Sequence, residues 1–235
     1  MPLLGTAAML LSFDVDDDAI EEHDRWHTQE HLPERLSIPG FRRGTRWVGS
    51  TSGAPRYLVL YEVESLATLG SAAYLDRLNH PTAWTTALMP RYRGMTRGLC
   101  TVLGSFGFGQ GSAAALIRFS VAFAPGIAPT VAEPHRWLLE EALPTLPRRA
   151  GLGSAHLLQG AQPAAMTNEQ RIRGGADRGV ESALIVTGYD EAAVAACAQA
   201  LCATGGLPAY GAGAVSSATY RWSYSLSSAE LGGGA

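Results

Sequence analysis

RWHTQEHLP, residues 25–33, returns 111 positions later as RWLLEEALP, residues 136–144. Arg25 and Trp26 fall on Arg136 and Trp137, Glu30 on Glu141, Leu32–Pro33 on Leu143–Pro144 and, further along, Gly40 on Gly151. Similarity of this kind inside one chain marks a duplicated supersecondary unit, and it must be recognised before a fold is assigned. Residues kept in both copies are those the scaffold requires. Residues held by one copy alone are candidates for chemistry. His27 falls on Leu138, His31 on Ala142 and Arg35 on Leu146. Helix packing therefore does not demand these polar side chains, and a site built on them belongs to the N-terminal half.

Working outward, AMLLSFDV alternates large apolar residues with smaller or polar ones and reads as a strand. Asp18 followed by Glu21 predicts a capping-box-like helix start. Pro33 cannot bond to the carbonyl of Gln29, so the regular helix is expected to end or kink near Leu32. FRRGTRWVGS and PRYLVLYEVES are strands, SLATLGSAAYLDRLN a helix, HPTAWTTALMPRYRG a loop or short helix, and TRGLCTVLGSFGF a further strand. The order β-α-β-β-α-β is the ferredoxin-like split unit, and the second half repeats it. The stretch from Gly107 to Ala114 is the junction. The predicted architecture is α+β. Two ferredoxin-like units, residues 1–110 carrying the site and residues 111–235 mainly structural, pack sheet to sheet as an intrachain pseudo-dimeric α+β barrel. Residues 162–179 have no apolar period and read as a long hairpin excursion near a pocket.

Composition narrows the functional classes. Apolar residues make up 46% and charged ones 17% of the 235, which is ordinary for a globular chain. A net charge of −3 with no Lys/Arg run argues against nucleic-acid or anionic-membrane partners. MPLLGTAAMLL lacks a basic start, and its apolar run is too short to span a bilayer. Cys100, Cys197 and Cys202 form no Cys-x-x-Cys pair and fit reduced thiols. The expectation is a cytoplasmic monomer or homodimer whose partner is a small apolar molecule.

His23, His27 and His31 recur every four residues and share one side of a helix. Imidazole titrates near neutrality, so these rings can give or take a proton without much tuning. Arg35, past the proline, could hold an anion. HTQEH also has the spacing of an inverted zinc-protease motif, but zinc needs a third protein ligand and no second cluster has helical ligand spacing. A metal held by His27, His31 and a distant ligand stays open, as does a merely solvated face with i,i+4 pairs. A second group, His80, Trp84, Arg91 and Tyr92, could line the same cleft, and Tyr57 and Tyr61 share one strand face. There is no Walker loop, and GSFGFGQG is not a dinucleotide fingerprint.

WHTQEHLPERLSIPGF, its following strand and HPTAW together resemble the dimeric α/β-barrel superfamily, nearest its EthD-like branch. The resemblance covers residues 9–110 by sequence character and 115–228 through the repeat. The superfamily includes cofactor-free monooxygenases, lactone isomerases, haem enzymes and small-molecule binding proteins. The resemblance implies an isomerase, dehydratase or cofactor-free monooxygenase acting on a small apolar or aromatic carbonyl compound. In that reading His27 or His31 moves a proton beside the carbonyl, and Arg35 or Tyr92 stabilises the oxyanion. Trp26, Tyr57, Tyr61, His80, Trp84 and Arg91 are then the substrate-binding candidates, and no cofactor is required. The alternatives are a non-catalytic binding or assembly protein and, further off, a metal- or haem-dependent enzyme.

Overall fold

A computed structural model describes residues 3–50, 52–121, 132–161, 166–175 and 177–232. The strands are β1 Ala7–Val15, β2 Phe41–Gly49, β3 Tyr57–Val63, β4 Tyr92–Gly107, β5 Ala113–Val121, β6 Leu152–Gly160, β7 Ser182–Gly188 and β8 Ala212–Ser227. The helices are α1 Ile20–Trp26, α2 Leu32–Leu36, α3 Ala72–Asn79, α4 Ala83–Leu88, α5 Glu133–Trp137, α6 Asn168–Arg173, α7 Glu191–Cys202 and α8 Ser228–Leu231. Each half forms an antiparallel sheet, ordered β4-β1-β3-β2 and β8-β5-β7-β6. The pairs β2–β8 and β4–β6 then close the two sheets into one barrel. Closure pairs every one of these strands on both sides, which removes the sheet edges a second copy could use.

Side-chain alternation divides the core into layers. On β1, Ala8 and Leu10 point into the barrel, whereas Met9 and Phe13 point out toward the N-terminal helices. β3 does the same, with Leu58 and Leu60 inside and Tyr57, Val59 and Tyr61 outside. It is buried on both faces, which is why it reads as an unbroken apolar run. The lumen is filled from both halves, by Leu10, Trp47, Leu116, Ile185 and Tyr220 among others. A separate core packs the C-terminal helices on their sheet, and it contains Leu138, Ala142 and Leu146, the residues that match His27, His31 and Arg35. The alanine-rich run Glu191–Tyr210 is long and apolar enough by composition to cross a bilayer. Val194, Cys197, Ala198 and Leu201 of that run are buried in this C-terminal core.

Two local expectations change. The first helix does not end near Leu32. It passes through a π-turn, His27–His31, in which the Leu32 N–H bonds to the His27 carbonyl, and continues as α2. A wider turn tolerates a proline that can neither donate to the turn before it nor fit closely against it. The C-terminal copy repeats the arrangement: Leu143 N–H reaches the Leu138 carbonyl at 2.8 Å, just before Pro144. Asp18 does not cap the helix. Its carboxylate pairs with Arg91, and α1 is entered through a 3-10 turn, Asp17–Ala19.

Gly40 and Gly151 share a left-handed backbone, with φ of 92° and 84°. At Gly151 a Cβ would also lie 2.3 Å from the Ala193 methyl of α7. Gly151→Ala is expected to lower stability by about 1–3 kcal/mol. Urea unfolding measures it, and an unchanged midpoint would show that α7 does not pack as described.

Candidate active site

Between the outer face of the N-terminal sheet and its helices lies a narrow cavity of about 40 Å³. Met9, Leu11, Phe13, Val59 and Met95 make its apolar wall, and the strand alternation places them there. His27, His31, Arg35, Tyr61 and Tyr92 meet on it, so the structure brings together these five sequence-derived candidates.

The histidines form a column. His23 stacks on His27 with ring centroids 5.5 Å apart, and His27 lies 5.7 Å from His31. Tyr57 closes one end, 4.4 Å from His23, and Trp26 flanks the column, 5.9 Å from His23, 6.0 Å from His27 and 4.3 Å from His31. Residues four apart drift by about 40° on a regular α-helix. The wider π-turn counters that drift, so the proline that forces the turn also helps align the rings. His27 Nε2 is 3.3 Å from the Tyr61 hydroxyl. His23 Nε2, His27 Nδ1 and His31 Nδ1 are buried without a hydrogen-bond partner, the Glu34 carboxylate standing 4.0 Å from His31 Nδ1. Burial holds His27 and His31 well below the usual imidazole value of 6.5, and the Arg35 guanidinium pushes both the same way. Both rings are therefore neutral at pH 7 and can accept a proton.

Arg35 is buried and forms an ion pair with Glu169, with Glu34 Oε2 at 3.4 Å and the Tyr74 ring beneath it at 5.9 Å. Glu169 comes from α6, inside the 162–179 excursion. Thr167 and Gln170 cap that helix as a capping box, and Asn168 Nδ2 ties it to the Asn79 carbonyl at 2.7 Å. The cavity is thus not built from the N-terminal half alone: Thr167, Glu169, Gln170 and Arg173 complete it. Residues 162–165 and 176 of that excursion lie outside the described residues.

Arg97, Tyr74 and Glu169 were not anticipated. Arg97 Nη2 donates to the Tyr74 hydroxyl at 3.0 Å, and Tyr74 donates in turn to Met9 Sδ at 3.1 Å. Arg173 is matched by Asp177 at 2.7 Å, but Arg97 has no ion-pair partner among the described residues. Arg97 was legible in principle, since period-two alternation puts it on the outward face between Met95 and Leu99. Glu169 carried no local signal. Burial pushes the Tyr92 phenol well above its usual 10, which keeps it a donor.

Five candidates do not reach the cavity wall. Trp26 is fully buried behind His31, its Nε1 held by Glu30 Oε1 at 3.2 Å and Thr85 Oγ1 at 3.3 Å. Tyr57 sits behind His23 and donates to Asp24 Oδ1 at 2.8 Å. His80 ends α3 in solvent, 77% exposed, paired with Asp76 one turn earlier. Trp84 lies on the outside of α1, donating to Glu22 Oε1 at 2.8 Å under the Arg25 guanidinium. Arg91 is taken by Asp16 and Asp18. Tyr92 alone of that second group turns inward, because β4 begins there.

The donor set does not fit a metal ion: no group of three or more His, Cys, Asp or Glu is placed to hold one among the described residues.

The architecture is that of a dimeric α+β barrel with both halves carried by one chain. No protein-family model matches the sequence, and no curated protein is significantly similar to it. Solved structures share the fold. An anthrone oxidase-like protein superimposes with a TM-score of 0.63 at 14% identity, covering 97% of this chain and 96% of that one. A putative monooxygenase from Lactobacillus acidophilus NCFM gives 0.56 at 9% identity, covering 94% and 96%. Chlorite dismutase from Candidatus Nitrospira defluvii gives 0.55 at 11% identity, covering 93% and 91%.

Proposed function

We propose that the chain is a cofactor-free oxygenase for a phenolic, anthrone-like aromatic ketone. One observation carries the reading: an aromatic-lined cavity holds two neutral, buried imidazoles together with the phenol of Tyr92 and the guanidinium of Arg97, which has no carboxylate partner among the described residues. A ring methylene opposite a carbonyl loses a proton to His27 or His31. The charge moves to the carbonyl oxygen, where Arg97 and Tyr92 receive it. Dioxygen takes up the electrons at the carbanion carbon and bonds there as a hydroperoxide, which then loses water. The methylene and one dioxygen thus become a ring carbonyl and one water, the methylene carbon being oxidised and the dioxygen reduced. An imidazolium is costly here beside Arg35, so proton transfer is coupled to forming an anion nearby. The resemblance to an anthrone oxidase-like protein and to a putative monooxygenase supports the same chemistry.

The test is incubation with a hydroxylated anthrone and no added cofactor, following oxygen uptake and quinone absorbance. His27→Ala with His31→Ala is expected to lower kcat/KM by at least about 100-fold while the anthrone still binds. The acid limb of kcat/KM should lie below pH 6.5, because both imidazoles stay neutral to lower pH than a free histidine. Turnover that survives the double substitution removes the proposed base. Tight binding without oxygen uptake by the wild type points to a non-catalytic carrier.

A further inference from the structure

The barrel lumen has a feature unrelated to this cavity. Met9, Leu11 and Phe13 face the cavity outside the sheet, whereas Ala8 and Leu10 face the lumen, so the sheet itself separates the two. At one end of the lumen a hollow of about 210 Å³ opens between β5, β8 and the β2–β3 hairpin. Arg118 reaches it from β5, two residues beyond the lumen-facing Leu116. It donates one bond, to Thr96 Oγ1 at 3.2 Å, and has no carboxylate partner among the described residues. Tyr220 on β8 lines the same hollow. It is completely buried, and its hydroxyl has no hydrogen-bond partner. Burial pushes that phenol up to about 12, with Arg118 acting against the shift, so it carries its proton at neutral pH. Ser216 and Ser217 add exposed hydroxyls at the rim, while Leu116, Ala218 and Pro55 supply apolar surface.

A buried donor with no acceptor is costly, and a ligand held by the half-buried Arg118 guanidinium beside it would supply that acceptor. We propose that this end of the barrel binds a small organic carboxylate, which accepts the fork of Arg118 and the hydroxyl of Tyr220 and lays a short apolar tail on Leu116 and Ala218. A planar carboxylate matches the paired N–H groups of arginine better than a spherical anion does. The site is separate from the proposed oxygenase chemistry and does not rest on it.

Acetate, butyrate, benzoate and inorganic phosphate, each titrated calorimetrically into the full chain, test the proposal. The carboxylates with apolar tails should bind, and phosphate should bind more weakly. Arg118→Met should weaken butyrate at least about tenfold, and Tyr220→Phe, which removes one oxygen without changing the packing, by about fivefold. Arg97→Met is the control for carboxylates entering the outer cavity and should leave butyrate affinity unchanged. The assignment is overturned by any of three results: no heat with any carboxylate, affinity indifferent to Tyr220→Phe, or a loss that follows Arg97 instead of Arg118. Phosphate binding more tightly than butyrate would overturn the choice of a carboxylate.

Discussion

Arg35→Met is expected to destabilise the protein by about 3–5 kcal/mol, the usual cost of stranding one partner of a buried ion pair. Arg35 has 1% and Glu169 8% of its side chain exposed, and they lie 134 residues apart in sequence. Removing the cation leaves a carboxylate enclosed by Tyr74, the α6 turn and the cavity wall. The chain then has to unfold α6 from the cavity or hold Glu169 protonated. Glu169→Leu should cost less, because Arg35 keeps Glu34 at 3.4 Å. Combining Arg35→Met with Glu169→Leu should recover most of the loss, since an apolar pair of similar size often replaces a buried salt bridge without penalty. Urea unfolding of the four proteins forms a double-mutant cycle. Additive losses would mean that the strap from the C-terminal half is not bound through this pair.

The second large effect concerns acid. Burial depresses the pKa of His23, His27, His31 and His135, and it takes His156 to about 3. His156 is 3% exposed in the lumen, between Ser105 Oγ at 2.8 Å and Ser154 Oγ at 3.0 Å. A lowered folded-state pKa means that the unfolded chain binds the proton first, near pH 6.5. Stability is therefore complete above that pH and is lost as pH falls from 6.5 toward the folded value. For His156 alone the loss at pH 5 is about 2 kcal/mol, and the other four act with the same sign. Glu34 and Glu62, whose values burial raises, oppose the trend only once pH nears the carboxylate range. The urea midpoint should drop steeply between pH 7 and pH 5, before most carboxylates titrate. His156→Gln should remove about 2 kcal/mol of the loss by pH 5, the slope it takes away approaching one proton, about 1.4 kcal/mol per pH unit, only below pH 6.5. A midpoint level from pH 7 to 5 would contradict the burial of these rings.

The same burial explains the division of labour between the copies. Leu138, Ala142 and Leu146 fill the C-terminal helix-to-sheet space with hydrocarbon, while His27, His31 and Arg35 at matching positions face a cavity. Duplication supplied a scaffold that folds with apolar residues at those three places. Polar residues in the N-terminal copy are tolerated because the ion pair with Glu169 and the imidazole column satisfy part of their demand. The Nδ1 atoms of His27 and His31, with Nε2 of His23, remain without a hydrogen-bond partner.

By itself the sequence determined the barrel and the face that carries the histidines. Period-two strands, the doubled β-α-β-β-α-β order and the paired Gly40/Gly151 and Pro33/Pro144 positions are local signals, set by sterics and hydrophobic alternation within a few residues. Tertiary structure decided which polar groups share the cavity. Glu169 closes it from the other half, Arg97 stands there with a phenol rather than a carboxylate beside it, and His80, Trp84 and Arg91 are drawn out to solvent or to acidic neighbours. Contacts between residues far apart in the chain depend on how the two sheets close, and no short-range periodicity encodes that register.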